Sequence, residues 1–539
     1  MLVEPRSISE PREPPAAPLA AGESAHGRFG DRGLVFLLAA LMLFALASEL
    51  GDVLNHDVAW YVHSAMAFLD GGRLYEDVFF EVNPPLMLYL TVPGAALARL
   101  TGLFSAHAFV LTVFAIITFA LWLSWRVLSG APGRCRHLGI VFAFVVLAVL
   151  PAGDFGQREH FLVCLALPYL FLVARCLHDR EPCPGLLTVL VGASAGIGFA
   201  IKPHYLLVPA ALELVMLWRT RCLSRMLRPE TLSLAAVVCL YIAAILVFTP
   251  AYLTRVVPYA LEVYEAGRRN DFALVLVQPE ALLLVAVSLG HWRLRRALMP
   301  WQTCLADVFV VSAIALFGAY LWQMKGWTYH LYPTTAMLIL LAGTVIGASS
   351  VILRPAQIFA FAVTLVLVTR TLVMADHRYV WMDRLMPYIQ AHGAEAIHVF
   401  GPTVSMGFPL ALYAEVEWAS RFPSLWLVAG AEQRRRAMAP GAELGILDRI
   451  ERFTTDAVIA DLAARQPELV FVDARPRKPF FGDIEFDYIE HFSADPRFAE
   501  LWGRYEQIGK DDGFEVYRLR PEVPEPTTAS RRPPRSRTS

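Results

Sequence analysis

"HDVAWYVHSAMAFLDGGRLYEDVFFEVNPPLMLYL", residues 56–90, follows directly on the apolar run "GLVFLLAALMLFALASELG", residues 33–51. About 20 mostly apolar residues suffice to cross a bilayer core, and the earlier run meets that requirement. The stretch after it carries Asp57, Glu76, Asp77, Glu81 and the paired prolines Pro84 and Pro85. Ionisable groups are costly in hydrocarbon unless paired or wetted, so this stretch must leave the membrane as soon as the span ends. A span followed by a polar, proline-led loop is the pattern to look for in the rest of the chain.

The composition agrees with that reading. Of the 539 residues, 56% are hydrophobic and only 18% charged, against roughly 25% charged residues in soluble domains. Mean hydropathy is +0.48. These values describe an integral membrane protein whose partner is the lipid bilayer. The formal net charge of −1 supplies no field for nucleic acid. Cys135, Cys164, Cys176, Cys183, Cys222, Cys239 and Cys304 are scattered without CxxC or metal-ligand spacing, which speaks against a disulfide framework or a zinc site.

Eleven stretches approach spanning length: about 33–51, 106–128, 138–153, 161–177, 185–201, 205–218, 232–250, 280–298, 304–323, 334–352 and 356–374. Short loops rich in Lys and Arg stay cytoplasmic. Arg126, Arg134 and Arg136, then Arg175 and Arg180, then Arg219, Arg221, Arg225 and Arg228, then Arg293, Arg295 and Arg296, then Arg354, all fall on one side if the N-terminus is inside. That parity makes the run from Pro84 to Leu100 interfacial or re-entrant, with its prolines suited to a helix start, and a true span with the parity repaired elsewhere is the plainer alternative. Residues 1–32 read as a disordered cytoplasmic tail with no cleavable signal, 33–375 as the transmembrane domain, and 521–539 as a second disordered tail.

Between them, residues 376–520 change character. "AIHVF" and "ELVFVD" read as strands, "MDRLMPYIQAHG" and "DAVIADLAARQ" as helices, and the whole as a small α/β domain on the outer side. It has no Walker loop or GxGxxG element to bind a nucleotide. The expected fold class is an all-α polytopic membrane protein with this α/β domain appended.

Under that topology the polar motifs gather on the outer side. Asp57, Trp60, Tyr61 and Ser64 stand at helical spacing. "GDFGQREH" (153–160), "IKPHY" (201–205), the long loop 251–279 with Tyr252, Tyr259, Tyr264, Arg268 and Arg269, and "QMKGWTYHLYP" (323–333) follow. Together they bring the carboxylates Asp57, Glu81, Asp154 and Glu159 to the same side as Arg158, Lys202 and Lys325, with His204 and His330 able to join. Such a set suits an anionic substrate and a proton acceptor. Plainer readings stand beside this one. Glu76 and Asp77 read as solvated; Lys202 and Lys325 also suit lysines that snorkel toward headgroups; Trp327 and Tyr329 also suit an aromatic belt. His107, His137, His178 and His291 read as ordinary loop or interface residues.

The series Asp57, Tyr61, Ala65, Leu69, Gly72, Tyr75, Glu81 and Pro84 to Leu86, followed by "GQREH", "KPHY" and "KGWTYHLYP", resembles the membrane-embedded GT-C glycosyltransferases over residues 33–375. It is similar to the branch of protein O-mannosyltransferases, lipid A aminoarabinose transferases and rhizobial galacturonosyltransferases. The resemblance implies a polyprenyl-phosphate-linked sugar as donor, transfer on the outer face and inversion at the anomeric carbon. It implies Asp57 as catalytic base, with Glu159 or Asp154 at the second-loop acidic position. Glu81, Arg158, Lys202, His204, Lys325, Tyr329 and His330 are the candidate substrate-binding residues. The chain departs from many relatives in having Val58 after Asp57 and Asn83 before Pro84, which leaves sugar and acceptor open. The acceptor is a lipid, glycan or protein; no cofactor is required by the sequence, and a divalent metal stays open. The expected location is the bacterial inner membrane. A transporter or flippase of lipid-linked substrates is the rival reading, although no inverted repeat or broken pair of spans favours it; a non-catalytic scaffold is a third.

Overall fold

The computed structural model describes residues 22–179, 185–264, 271–374, 379–438 and 445–521. Arg180, Arg268, Arg269 and most of both tails lie outside the described residues. The first helix, α1 (Gly22–Leu50), starts well ahead of the boundary expected at residue 33. A helix propagates cheaply once nucleated, and Asp31 is tied to Arg136 and His137, each at 2.6 Å.

After α1 come α2 (His56–Leu69), α3 (Leu86–Thr101), α4 (Ser105–Val127), α5 (Gly133–Phe144), α6 (Arg158–Asp179), α7 (Leu186–Ala200), α8 (Leu207–Thr220) and α9 (Pro229–Phe248). The short helices α10 (Val257–Val263) and α11 (Phe272–Leu276) lead to α12 (Pro279–Leu294), α13 (Pro300–Gln323), α14 (Tyr332–Ile346) and α15 (Arg354–Met374). Each of the eleven expected spans falls on one of these helices. Seven described helices are long and apolar enough to cross a membrane: those in α1, α4, α6, α9, α13, α14 and α15. The windows at 138–153, 185–201, 205–218 and 280–298 fall on the shorter helices α5, α7, α8 and α12. The "KP" of "IKPHY" explains two of these, because proline ends the preceding helix at Ala200 and a short 3₁₀ turn intervenes before α8.

The helices sort into centre and rim. Most of α6, α13 and α14 is covered by protein, whereas α1, α9 and α15 leave nearly all of their apolar surface open, as lipid-facing helices do. Close packing at the rim uses small residues. At Gly192 of α7, an added Cβ would collide with the backbone of Glu230 on α9, and four residues on, a Cβ added at Gly196 would lie only 2.9 Å from Leu234 O. This is the small-xxx-small spacing that lets membrane helices approach.

The C-terminal domain comprises α16 (Val380–His392), β1 (Ala396–Phe400), α17 (Leu410–Tyr413), β2 (Glu417–Trp418), α18 (Trp426–Ala437), α19 (Gly445–Arg465), β3 (Leu469–Asp473), α20 (Tyr488–Ser493), α21 (Pro496–Trp502), β4 (Tyr505–Asp511) and β5 (Phe514–Leu519). The two segments expected as strands are β1 and β3. They pair in parallel inside a sheet of order β2-β1-β3-β5-β4, with β5 and β4 antiparallel. Every residue of β1 and β3 is buried, as in strands covered on both faces.

This domain sits against α2, α10 and the loop between α2 and α3. Phe408 packs on Trp60 at 5.3 Å, Phe453 on Phe80 at 4.9 Å and Tyr259 at 5.6 Å, and Arg434 pairs with Glu262 at 2.9 Å. Gly430 meets the backbone of Val263 so closely that a Cβ would not fit.

Candidate active site

The site begins with a helix cap. Asn55 accepts the Asp57 N–H at 3.0 Å and so starts α2, which places the Asp57 carboxylate in the first turn, where the helix dipole favours it. The same Asn55 oxygen accepts from Gln157 at 2.8 Å, which ties the head of α2 to the head of α6. Arg158, first residue of α6, then reaches Asp57 Oδ2 at 2.7 Å and donates to the Tyr61 hydroxyl at 3.3 Å. The guanidinium lies 5.7 Å from the Tyr61 ring centroid and 6.0 Å from that of Tyr329. Its Nε is buried without a hydrogen-bond partner.

Electrostatics separate the carboxylates. Burial pushes the Asp57 carboxyl up, but the charges of Arg158 and then His56 outweigh it and the net shift is downward, so Asp57 is ionised at neutral pH. Glu81 ends above its ordinary value: burial raises it, Arg158 pulls it down, and the Asp57 charge pushes it up again. Its Oε1 accepts from Asn83 Nδ2 at 2.8 Å. Asp154 is raised to about 7, by burial first and then by the charges of Glu159 and Asp57.

Glu159 and Lys202 form a second, more fully buried cluster within electrostatic reach of Arg158 and Asp57. Lys202 Nζ lies 2.6 Å from Glu159 Oε1, and both side chains are almost wholly buried. Tyr205 donates to the same oxygen at 2.8 Å; His330 Nε2 is 3.7 Å from it and 3.4 Å from the Lys202 ammonium. Burial lowers the Lys202 ammonium against the pull of Glu159. His204, edge-on to Tyr205, is lowered to about 4 by burial and then by the Lys202 charge, so it is neutral at pH 7. Lys325 takes a third position. Its ammonium donates to Tyr264 O at 3.0 Å and lies 3.7 Å from the Tyr264 ring centroid, and Trp426 of α18 packs on that ring at 5.6 Å.

The candidates therefore divide into three groups. Asp57, Arg158, Tyr329, Glu81 and Asp154 share one electrostatic neighbourhood. Glu159, Lys202, His204 and His330 form the second, with Lys202 Nζ also 3.4 Å from Gln323 Oε1 of α13. Lys325 lies on the Tyr264 ring, which in turn feels the charges of Glu81, Arg158 and Asp57. Among the described residues, no three His, Cys, Asp or Glu side chains are grouped to hold a metal ion.

Several contributors were not singled out in the sequence. Asn55 stands outside every motif, Gln157 was carried only as part of "GQREH" with no role of its own, and Phe408 and Trp426 come from the C-terminal domain. Tyr75 and Phe79 are unusual in another way. Both are wholly buried aromatics with left-handed backbone, φ 64° and 57°; such strain costs about 1–3 kcal/mol per residue and persists only where the surroundings hold it. Here Tyr75 donates to Asn83 O at 2.8 Å, and Phe79 stacks on Trp60 at 5.8 Å.

No family model and no curated protein matches the chain. Among solved structures it is similar to ArnT from Cupriavidus metallidurans, in a crystal structure bound to undecaprenyl phosphate and in one of the apo state. In each case identity is 14%, the match covers 90% of this chain and 98% of that one, and the TM-score is 0.48.

Proposed function

We propose that the protein is an integral membrane glycosyltransferase that moves a sugar from a polyprenyl-phosphate donor to an envelope acceptor on the outer face of the bacterial inner membrane, with inversion. The observation that carries this reading is the ionised Asp57 held at 2.7 Å by Arg158 among Tyr61, Tyr329 and Glu81, at the heads of α2 and α6. Such a pair holds the two opposite charges that glycosyl transfer from a phosphate requires. A carboxylate beside an acceptor hydroxyl takes its proton as the oxygen attacks, an effect worth about 10²–10⁴-fold. A guanidinium beside the leaving phosphate stabilises the negative charge that grows on it. One displacement by the acceptor, with Asp57 as base and no enzyme nucleophile, inverts the anomeric carbon. The sequence motifs from Asp57 to Leu86 support the same reaction class.

The test uses purified protein in lipid and a polyprenyl-phosphate sugar carrying a labelled sugar. Label should move to acceptor, and Asp57→Asn should lower kcat by about 10²-fold or more while donor binding is kept. Near-normal turnover by folded Asp57→Asn protein would remove Asp57 from the role of base. Movement of intact donor across the bilayer without transfer would make the protein a flippase.

A further inference from the structure

Asp461 on α19 is 3% exposed. It accepts the Arg421 backbone N–H at 2.8 Å, Arg421 Nε at 3.1 Å and Nη2 at 2.9 Å, and Arg465 Nη1 at 2.9 Å. Both guanidinium groups turn other donors on the loop between α2 and α3. Arg421 Nη1 donates to Glu76 O at 2.5 Å and Arg465 Nη2 to Asp77 O at 3.1 Å, while the Phe80 N–H donates back to Arg421 O at 2.7 Å. The three bonds bracket Phe79, and Glu81 is the next residue after Phe80.

We propose that Asp461, Arg421 and Arg465 are positioning residues of the transfer site, holding the 73–83 loop in the conformation that sets Glu81 beside Asp57 and Arg158. The inference rests on the reading of that site as a transferase. Within the loop, the Glu76, Asp77 and Val78 N–H groups all converge on Arg73 O, which makes a tight local turn but leaves the Glu76 and Asp77 carbonyls to outside donors. Tyr75 and Phe79 keep their left-handed backbone only because something opposes its relaxation. From one side the opposition is burial of the rings against Trp60, Tyr61 and Tyr252. From the other it is the arginine pair. A guanidinium locked by a carboxylate presents its remaining N–H groups in a fixed plane, which a flexible ammonium cannot imitate. The C-terminal domain thereby sets the shape of a loop more than 300 residues earlier in the chain.

Full-length protein carrying Arg421→Ala, Arg421→Lys or Asp461→Asn would test this, with Arg497→Ala, an exposed arginine of the same domain, as control. Two readouts are needed. In hydrogen exchange, the Phe80 amide should open at least about tenfold faster in Arg421→Ala and Asp461→Asn while α13 is unchanged. In kinetics, kcat should fall about 10- to 100-fold with donor KM within about threefold, because small misplacements of a site residue cost that much; Arg421→Lys should not rescue it. Combined with Glu81→Gln, Arg421→Ala should add little further loss, since both act through Glu81. Unchanged Phe80 exchange, or losses that multiply independently in the double variant, would overturn the proposal. A wild-type protein that transfers no sugar would sink the functional reading, and the exchange measurement would still decide whether the arginines hold the loop.

Discussion

Asp57, in the first turn of α2, and Asp154, in the turn ahead of α6, are pushed in opposite directions, one down by Arg158 and one up to about 7 by burial. The difference has a consequence for stability. Folding raises the Asp154 carboxyl from 3.8 to about 7, so the folded state holds that proton more tightly than the unfolded chain does. Its contribution is fully present below about pH 4 and is lost as pH rises through about 7. Asp154→Asn has no charge to bury. Its melting temperature should match wild type near pH 4, exceed it at pH 8, and cross over the interval between. Thermal melts in one detergent across that range would check this; a variant less stable at pH 8 than at pH 4 relative to wild type would show that the Asp154 carboxylate has a compensating partner.

At the scale of elements, the Glu159 cluster joins α6 to the turn between α7 and α8 and to the start of α14. Sequence patterning made Lys202 a candidate for the donor phosphate, with the headgroup region as the plainer alternative. In the structure its ammonium is directed at Glu159, Gln323 and His330. Removing one partner of a buried pair leaves the other charge uncompensated, typically at a cost of about 3–5 kcal/mol. Lys202→Met should therefore lower the unfolding midpoint sharply, and the double variant Lys202→Met with Glu159→Gln should recover a large part of it. If Lys202→Met melts like wild type but loses donor affinity, the lysine serves the substrate and not the helix junction.

For the whole molecule, the arginine alternation predicts which ends face the cytoplasm. Cys222 is exposed in the connection between α8 and α9, and hydrogen bonds from Ser224 lower its thiol, which favours labelling. In a background lacking the other cysteines, an impermeant maleimide applied to intact cells should spare Cys222 and, with Cys222 replaced, label Arg497→Cys on α21. Both should react after permeabilisation. Labelling of Cys222 alone in intact cells would invert the topology and put the Asp57 site inside.

The eleven apolar windows, the polar loop after α1 and the strands "AIHVF" and "ELVFVD" were legible because each depends on local periodicity and on the cost of charge in hydrocarbon. These are properties of consecutive residues. So was the placement of Asp57 just after a span, which follows from the same cost of charge in hydrocarbon. Helix length was less legible, since where α5, α7, α8 and α12 end depends on turns and neighbours. Pairing was not legible at all. Seven charged candidates could meet in many ways, and which cation meets which carboxylate follows from how the heads of α2, α6 and α14 are brought together. Only tertiary packing gave Arg158 to Asp57, Lys202 to Glu159 and Lys325 to the Tyr264 ring. The hold of Asp461, Arg421 and Arg465 on the 73–83 loop is of the same kind: it joins residues with no sequence proximity, through backbone carbonyls that carry no side-chain identity for a sequence to display.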